Sequence, residues 1–422
     1  LPIGVNTGFP PPFSSIHLTH RSGKLNLSLP QQIPYTPAPT FFNLSILQPF
    51  SSMNSTAVRH TLLIAIVGGI VMFTNLGGPR LWDRDEPRNA GCTAEMLERG
   101  DWVTPMFNGE LRTHKPILLY WFMMTSYAAF GASEFSARFW SAALAIGTAW
   151  LTYGLGRRLF SPAVGVWAAV ILLTTMMFDV AGRAATPDSV LIFWIAAALW
   201  FYVWGTFPAP KTESDNEVEA RTPKRLFPTW PVAAAMYGCM GMAVLAKGPV
   251  GLVLPTAVIG MYLLIMRLPA AEAETAPTGW ARIGDWFRRV ARPFAPVHFL
   301  RTCWFMRPLT ALTAAMAIAL PWYILVGLRT DGEWLRGFLL VHNLGRAAQP
   351  MEGHGGWFFY YPLAILVGFF PWSVFAAPTL IEITRRLRRG HAWFAGSLFA
   401  CCWVGVYVGL FTIAQTKLPS YI

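Results

Sequence analysis

Residues 81–91 read LWDRDEPRNAG, and they follow TAVRHTLLIAIVGGIVMFTNLG at 56–77. The earlier run is long and apolar enough to cross a bilayer. The later one crowds Asp83, Arg84, Asp85, Glu86 and Arg88 into six consecutive positions. A first crossing that leaves the lipid directly into dense charge sets the question for the rest of the chain. The charge is either a solvated loop or the edge of a site that works at the membrane surface.

Composition places the chain among membrane proteins. Of 422 residues, 54% are hydrophobic, 14% aromatic and 13% charged, against about 25% charged in soluble domains. Nineteen Trp and thirty Phe suit wide lipid-facing and interfacial surfaces. The fold class expected is an all-α polytopic membrane protein. The net charge of +12 is no signature of nucleic acid binding, because a bias of basic residues toward cytoplasmic loops accounts for it. The five Cys are scattered, without the spacing of a zinc finger or a disulfide framework. Residues 1–52 precede the first Met, are rich in Pro, Ser and Thr, and lack a signal-peptide core. They are expected to be a disordered extension ahead of a start at Met53. Because 422 follows an apolar run directly, the natural protein is expected to continue beyond it.

Apolar runs of bilayer length occur near 57–77, 136–156, 162–180, 189–207, 231–247, 249–266, 308–328, 359–380 and 392–413, so about nine crossings are expected within 53–422. The shorter piece 117–131 is marginal for a span and reads as a juxtamembrane or re-entrant helix. If it does not cross, Arg59, Arg157-Arg158, the loops 208–229 and 267–307, and Arg385-Arg386-Arg388-Arg389 share one side. That side is the more basic and is therefore cytoplasmic. Residues 208–229 read as a linker. The Arg-rich 267–307 reads as a topological anchor or an amphipathic helix touching anionic lipid.

The distinctive polar groups then fall on the opposite side: Asp85, Glu86, Arg88, His114 and Lys115, then Arg183 and Asp188, Lys247, His342, Asn343, Arg346 and His354, and Lys417. Arg and Lys hold phosphate, and a carboxylate can deprotonate an acceptor. Such a set suits a substrate with an anionic headgroup and a lipid tail. Each residue also has a plain structural reading. Arg88 can pair with Glu86 or Asp85, Lys115-Pro116 can open a helix while the lysine snorkels, and Asp188 can cap a helix starting at Ser189. His342 and His354, twelve apart, have no standard metal spacing. The shared sidedness, more than any single residue, carries the reading.

The run DEPRNAGCTAEMLERGDWVTPMFNGELRTHKPILLYW, 85–121, resembles the first outer loop of the ArnT-like and protein-O-mannosyltransferase-like glycosyltransferases of the GT-C class. The matching positions are Asp85-Glu86, Arg88, Glu95, Gly100-Asp101-Trp102, Pro105, Asn108-Gly109, Lys115-Pro116 and Leu118-Leu119-Tyr120-Trp121. Further along, Arg183 with Thr186-Pro187-Asp188, Lys247-Gly248-Pro249, His342-Asn343 with Arg346, Tyr360-Tyr361, Pro371-Trp372 and Lys417-Leu418-Pro419 continue the likeness, in order, across 57–422. The resemblance implies a GT-C transmembrane helix bundle, with juxtamembrane helices over an outer-face cavity. It implies transfer of a sugar from a polyprenyl-phosphate donor to a lipid, protein or glycan acceptor on the non-cytoplasmic face of the plasma (inner) membrane. Asp85 is then the expected base, with Glu86, Arg88, Lys115, Arg183, Asp188, Lys247, Arg346 and Lys417 on the substrates. Where such enzymes often carry a metal-binding Glu before the Lys-Pro, this chain has His114. A zinc site made with His342, or no metal at all, both stay open. A carrier of lipid-linked sugars and a non-catalytic sensor of the same fold are the alternatives. A carrier is expected to place ionisable groups at mid-membrane, and the apolar runs here are nearly free of them.

Overall fold

The computed structural model describes residues 55–82, 84–209, 222–268, 288, 291–345, 360–387, 391 and 393–413. The extension 1–52, most of the 208–229 linker, and the positions Asp83, Arg346, His354 and Lys417 lie outside them.

The chain is an all-α polytopic membrane protein. Its helices are α1 (Ser55–Phe73), α2 (Asp85–Arg99), α3 (Leu118–Phe130), α4 (Glu134–Leu159), α5 (Pro162–Leu173), α6 (Met176–Arg183), α7 (Pro187–Thr206), α8 (Trp230–Lys247) and α9 (Val250–Met266). After these come α10 (Pro296–Phe305), α11 (Pro308–Arg329), α12 (Glu333–Arg336), a π-helical segment Gly337–Gly345, α13 (Tyr360–Gly368), α14 (Ala376–Arg386) and α15 (Phe394–Ile413). Between α2 and α3 lies one small hairpin, β1 (Met106–Phe107) and β2 (Glu110–Leu111). Local chemistry sets the boundaries. Ser133 and Ser136 form a reciprocal capping box on α4. Ser161 caps α5 ahead of Pro162. Gly100, at φ 63°, ends α2 in the left-handed conformation. The hairpin turns on Asn108-Gly109, both at positive φ, the favoured pair for a two-residue connection.

Every apolar run expected to cross is helical, but the spans are less uniform than the hydropathy implies. Four stretches are long and apolar enough taken singly: Thr56–Phe73, Pro187–Thr206, Pro308–Arg329 and Phe394–Ile413. The expected spans 162–180 and 359–380 are broken, with bends of 65° between α5 and α6 and 116° between α13 and the segment Trp372–Arg386. The causes are local. Thr174 and Thr175 turn their hydroxyls back onto the carbonyls of Val170 and Ile171, each at 2.7 Å. Pro371 has no N–H to continue a ladder. The two breaks satisfy one another: Met176 N–H donates to the Phe370 carbonyl at 3.0 Å, and Trp372 Nε1 donates to Thr174 Oγ1 at 2.9 Å. Backbone freed from a helix within apolar surroundings needs such protein partners. The marginal piece 117–131 is the 13-residue α3, roughly 20 Å long at 1.5 Å per residue.

Helix ends sort into two sets. At one end, Arg138 near the start of α4 meets the carbonyl of Leu76, just past α1. Lys247, ending α8, meets Asp188 at the start of α7, and Arg329, ending α11, meets Asp101. At the other end, Arg158 of α4 donates to the carbonyls of Trp204 and Phe207 where α7 finishes, and Trp230 opens α8 against Thr310 of α11. The core between them is aromatic and apolar. Tyr202 stacks on Phe399 at 5.7 Å, and Tyr262 meets Phe399 edge-on at 5.4 Å.

Candidate active site

The first turn of α2 is the best-anchored part of the polar end. Glu86, 2% exposed, accepts four hydrogen bonds. Arg138 Nε and the Ala185 N–H reach Oε1 at 2.9 and 2.7 Å, while Arg138 Nη2 and the Trp82 N–H reach Oε2 at 2.7 and 3.0 Å. These use the acceptor capacity of an ionised carboxylate. Burial pushes the Glu86 carboxyl up, but Arg138 and the two backbone N–H groups outweigh it and hold it below its ordinary value. Arg138 also donates to the carbonyls of Leu76, Pro79 and Arg80 at 3.0, 2.7 and 3.1 Å, so its whole fork is committed. One turn further along α2, Asn89 donates to the Ala185 carbonyl and accepts from Arg112 Nη2, both at 3.0 Å. Glu86 and Asn89 thus clasp both backbone groups of Ala185, three residues before Asp188.

Asp85, at the first position of α2, and Arg88, one turn on, are half-buried. Neither makes a side-chain hydrogen bond or ion pair with a described residue, so the alternative in which Arg88 simply pairs with Glu86 or Asp85 is not realised. Beside the fully bonded Glu86, the Asp85 carboxylate has no partner among the described residues.

The helix after Ala185 starts at Pro187, not Ser189, so Asp188 sits inside its first turn and is not its cap. Its partners are Lys247, in an ion pair, and Thr186, whose hydroxyl donates to Oδ2 at 3.3 Å. Lys115 also pulls electrostatically on Asp188. Lys247, at the end of α8, therefore pairs with Asp188 directly, and Lys115, from the turn after the hairpin, acts electrostatically on the same carboxylate.

The Lys247-Gly248-Pro249 turn depends on glycine. Gly248 lies at φ 86°, and a Cβ there would stand 2.5 Å from the Phe338 ring and 3.6 Å from Asn343 Oδ1. Below it, α8 and α9 close tightly because Gly251 backs onto Ala243, whose carbonyl carbon would be 2.4 Å from a Cβ. The π-helical segment completes the assembly. Gly337 packs directly on Thr113, and the His114 and His342 rings lie 4.0 Å apart between centroids at 32°. Asn343 Nδ2 donates to the Phe338 carbonyl at 2.7 Å. Extra-turn helices of this kind recur at functional sites. A buried aromatic cluster holds the arrangement from behind. Trp334 stacks on Phe338 at 4.8 Å, meets Trp322 edge-on at 4.8 Å, and donates Nε1 to the Arg112 carbonyl at 2.9 Å. Beside the lysine turn, Pro249, Val244, Ala319, Tyr323 and Leu335 line an apolar cavity of about 360 Å³.

Two expected residues take other places. Glu86 is an anchor with its lone pairs committed. Arg183 donates Nη2 to the Thr74 carbonyl at 2.7 Å and Nη1 to the Val71 carbonyl at 3.4 Å, which caps the end of α1. His114 and His342 do meet, with their rings tilted against each other, and among the described residues no group of three metal-binding side chains forms. No step is derived through a metal. Arg346 and Lys417 lie outside the described residues. The sequence reading missed Arg138, Asn89 and Arg112. Arg138 had a visible signal, a lone arginine inside an expected span. Asn89 shares the i, i+3 stripe of Glu86. Arg112, 5% exposed, bonds Tyr120 and Asn89 and carried no signal at all.

A sequence profile of the dolichyl-phosphate-mannose-protein mannosyltransferase family matches residues 70–334. The chain is 28% identical to an undecaprenyl phosphate-alpha-4-amino-4-deoxy-L-arabinose arabinosyl transferase of Pseudomonas fluorescens, over 87% of this chain and 56% of that one. It is 26% identical to the protein of the same description from Edwardsiella ictaluri, over 85% and 56%. It therefore spans little more than half the length of these relatives. The crystal structure of ArnT from Cupriavidus metallidurans in the apo state superposes with a TM-score of 0.63 at 26% identity, covering 87% of this chain and 57% of that one. The undecaprenyl phosphate-bound form superposes with a TM-score of 0.64 at 23% identity, over 88% and 57%. The helix bundle here has the fold of those structures.

Proposed function

The chain belongs to the dolichyl-phosphate-mannose-protein mannosyltransferase family, and from that premise we propose that it is a glycosyltransferase that moves a sugar from a polyprenyl-phosphate donor to a lipid, protein or glycan acceptor on the non-cytoplasmic face of the membrane. One observation carries the proposal: Lys247 pairs with Asp188, and Lys115 acts on the same carboxylate, at the polar end of the bundle beside an apolar cavity. A donor with a phosphate head and a polyprenyl tail matches that pairing of lysine ammonium groups and apolar wall. The arabinosyl transferases are named for an undecaprenyl phosphate-linked sugar; that donor belongs to those proteins, and it supports the donor class.

In the proposed reaction the acceptor oxygen forms a bond to the anomeric carbon as the bond from that carbon to the phosphate oxygen breaks. The acceptor's proton passes to the Asp85 carboxylate. The leaving group departs as polyprenyl phosphate, stabilised by Lys115 and Lys247. A phosphate is already a competent leaving group, so one base suffices and no general acid is required. The oxocarbenium-like character of the transition state favours the same electrostatics. The ionisable group buried early in α4, Arg138, is fully committed to Glu86 and three carbonyls. That arrangement suits a scaffold and does not favour a carrier.

The test uses the full-length protein in nanodiscs with a panel of radiolabelled polyprenyl-phosphate sugars. Transfer or sugar release is expected with one donor. Asp85→Asn is expected to lower it by roughly 10²–10⁴-fold without changing membrane insertion. Full activity in Asp85→Asn would move the base elsewhere, and no turnover of any donor would remove the enzyme reading.

A further inference from the structure

We propose that the groove between α14 and α15, at the end of the bundle remote from the lysine pair, binds an anionic phospholipid of the surrounding leaflet. The groove is a cavity of about 430 Å³. Phe375, Pro378, Ile383 and Ala400 form its apolar wall, and Arg386, the last residue of α14, stands with Glu382, Thr379 and Ser397 on its polar side. Phe160, which directly follows α4, also lines it. This is the end where Arg158 meets the finish of α7, so the groove is separated from the candidate active site by the length of the helices.

Charge defines the occupant. Arg386 stacks its guanidinium 4.1 Å above the Trp393 ring and donates Nε to Glu382 at 2.8 Å. Arg385 reaches the same carboxylate at 3.8 Å and is 70% exposed. A single acid serves two guanidinium groups. The patch is therefore basic even with its ion pairs made. A stacked, planar guanidinium is pre-organised for phosphate. The other face of α14 is apolar and bare: Leu380 and Ile381 are 64% and 57% exposed, and Val374, in the turn before it, is 70% exposed. The 116° bend after α13 turns this amphipathic helix away from the direction of the preceding span. Apolar residues on one side, arginines at the end and an altered course are the attributes of a helix lying in the interface of an anionic leaflet. The groove supplies the place for an acyl chain, and the arginines supply the place for the headgroup.

Native mass spectrometry of the full chain, titrated with phosphatidylglycerol or with phosphatidylcholine of identical acyl chains, tests this. The first bound phosphatidylglycerol is expected to be held roughly 5- to 30-fold more tightly than phosphatidylcholine, the scale for one or two arginines at an anionic surface. The double variant Arg385→Gln/Arg386→Gln should bring the ratio near one, and Arg385→Lys/Arg386→Lys should restore part of it. Ala400→Phe, which fills the groove and leaves the charges, should weaken both lipids. Glu382→Gln removes the competing carboxylate and should raise the preference, a gain that misfolding cannot produce. Equal retention of the two lipids by the unaltered chain overturns the proposal. So does a phosphatidylglycerol preference that survives the double Gln variant, or variants that change retention of polyprenyl phosphate alone.

Discussion

Glu86 and Asp85 are neighbours with opposite fates, and the difference comes from which side of α2 each occupies. Glu86 lies on the buried stripe with Asn89 and Thr93 and is consumed by Arg138, Ala185 and Trp82. Asp85 lies off that stripe and keeps its carboxylate. Removing one partner of a buried ion pair leaves the other uncompensated, so Arg138→Leu is expected to cost about 3–5 kcal/mol, read as a lower unfolding temperature in detergent. Arg138→Lys should be nearly as damaging, since an ammonium cannot reach Glu86 and three carbonyls at once. The Glu86 carboxyl titrates below its ordinary value of 4.5 in the folded protein. Its stabilising contribution is therefore complete above about that pH and is lost as pH falls through the folded-state value. Thermal unfolding followed from pH 7 to pH 3 should show a decline below pH 4.5 that is smaller in Glu86→Gln, the variant that is already less stable at pH 7.

At the scale of elements, the site is a meeting of connections: the turn 113–116 after the hairpin, the bend between α6 and α7, the lysine turn between α8 and α9, and the π-helical segment. Gly248 is the tightest of these joints. Gly248→Ala places a side chain at φ 86° and against Phe338, with an expected cost of about 1–3 kcal/mol in strain. Because Lys247 is adjacent, transfer activity should fall by roughly tenfold or more from displacement alone. Adding Phe338→Ala should relieve the clash and leave the backbone strain, so the double variant should recover part of the lost activity. If Gly248→Ala behaved like the unaltered chain in both stability and turnover, the turn would not position Lys247. The hairpin, by contrast, was readable in advance, because Asn-Gly dictates its own backbone. The breaks between α5 and α6 and before α14 were hidden. Hydropathy counts Thr and Pro as interruptions of composition, and it cannot tell that Met176 and Trp372 would bridge the two gaps.

For the whole molecule, Arg158, Arg307 and Arg386 stand, among the described residues, at the helix ends opposite Asp188 and Lys247. The compartment assigned to each end is a proposal with a direct check. In a background lacking native cysteines, Asn108→Cys, on the exposed hairpin turn, should react with an impermeant maleimide added outside intact cells. Arg385→Cys should react only after the membrane is opened. The reverse labelling would invert the topology and place the proposed chemistry on the cytoplasmic face.

The sequence by itself determined the class of the protein and the chemistry at its polar end. Helix-length apolar runs, basic loops and the order of Asp85, Lys115, Asp188, Lys247 and His342 are local properties, each written within a few residues. Only the tertiary structure decided how that chemistry is divided. It turned Glu86 and Arg183 into anchors, paired Asp188 with Lys247, brought the His114 ring against His342, and recruited Arg138, Asn89 and Arg112 to hold the first turn of α2. Those outcomes depend on pairs of residues separated by tens to hundreds of positions. A charged side chain that is buried needs a partner, and which partner it finds is a property of packing that no local pattern records.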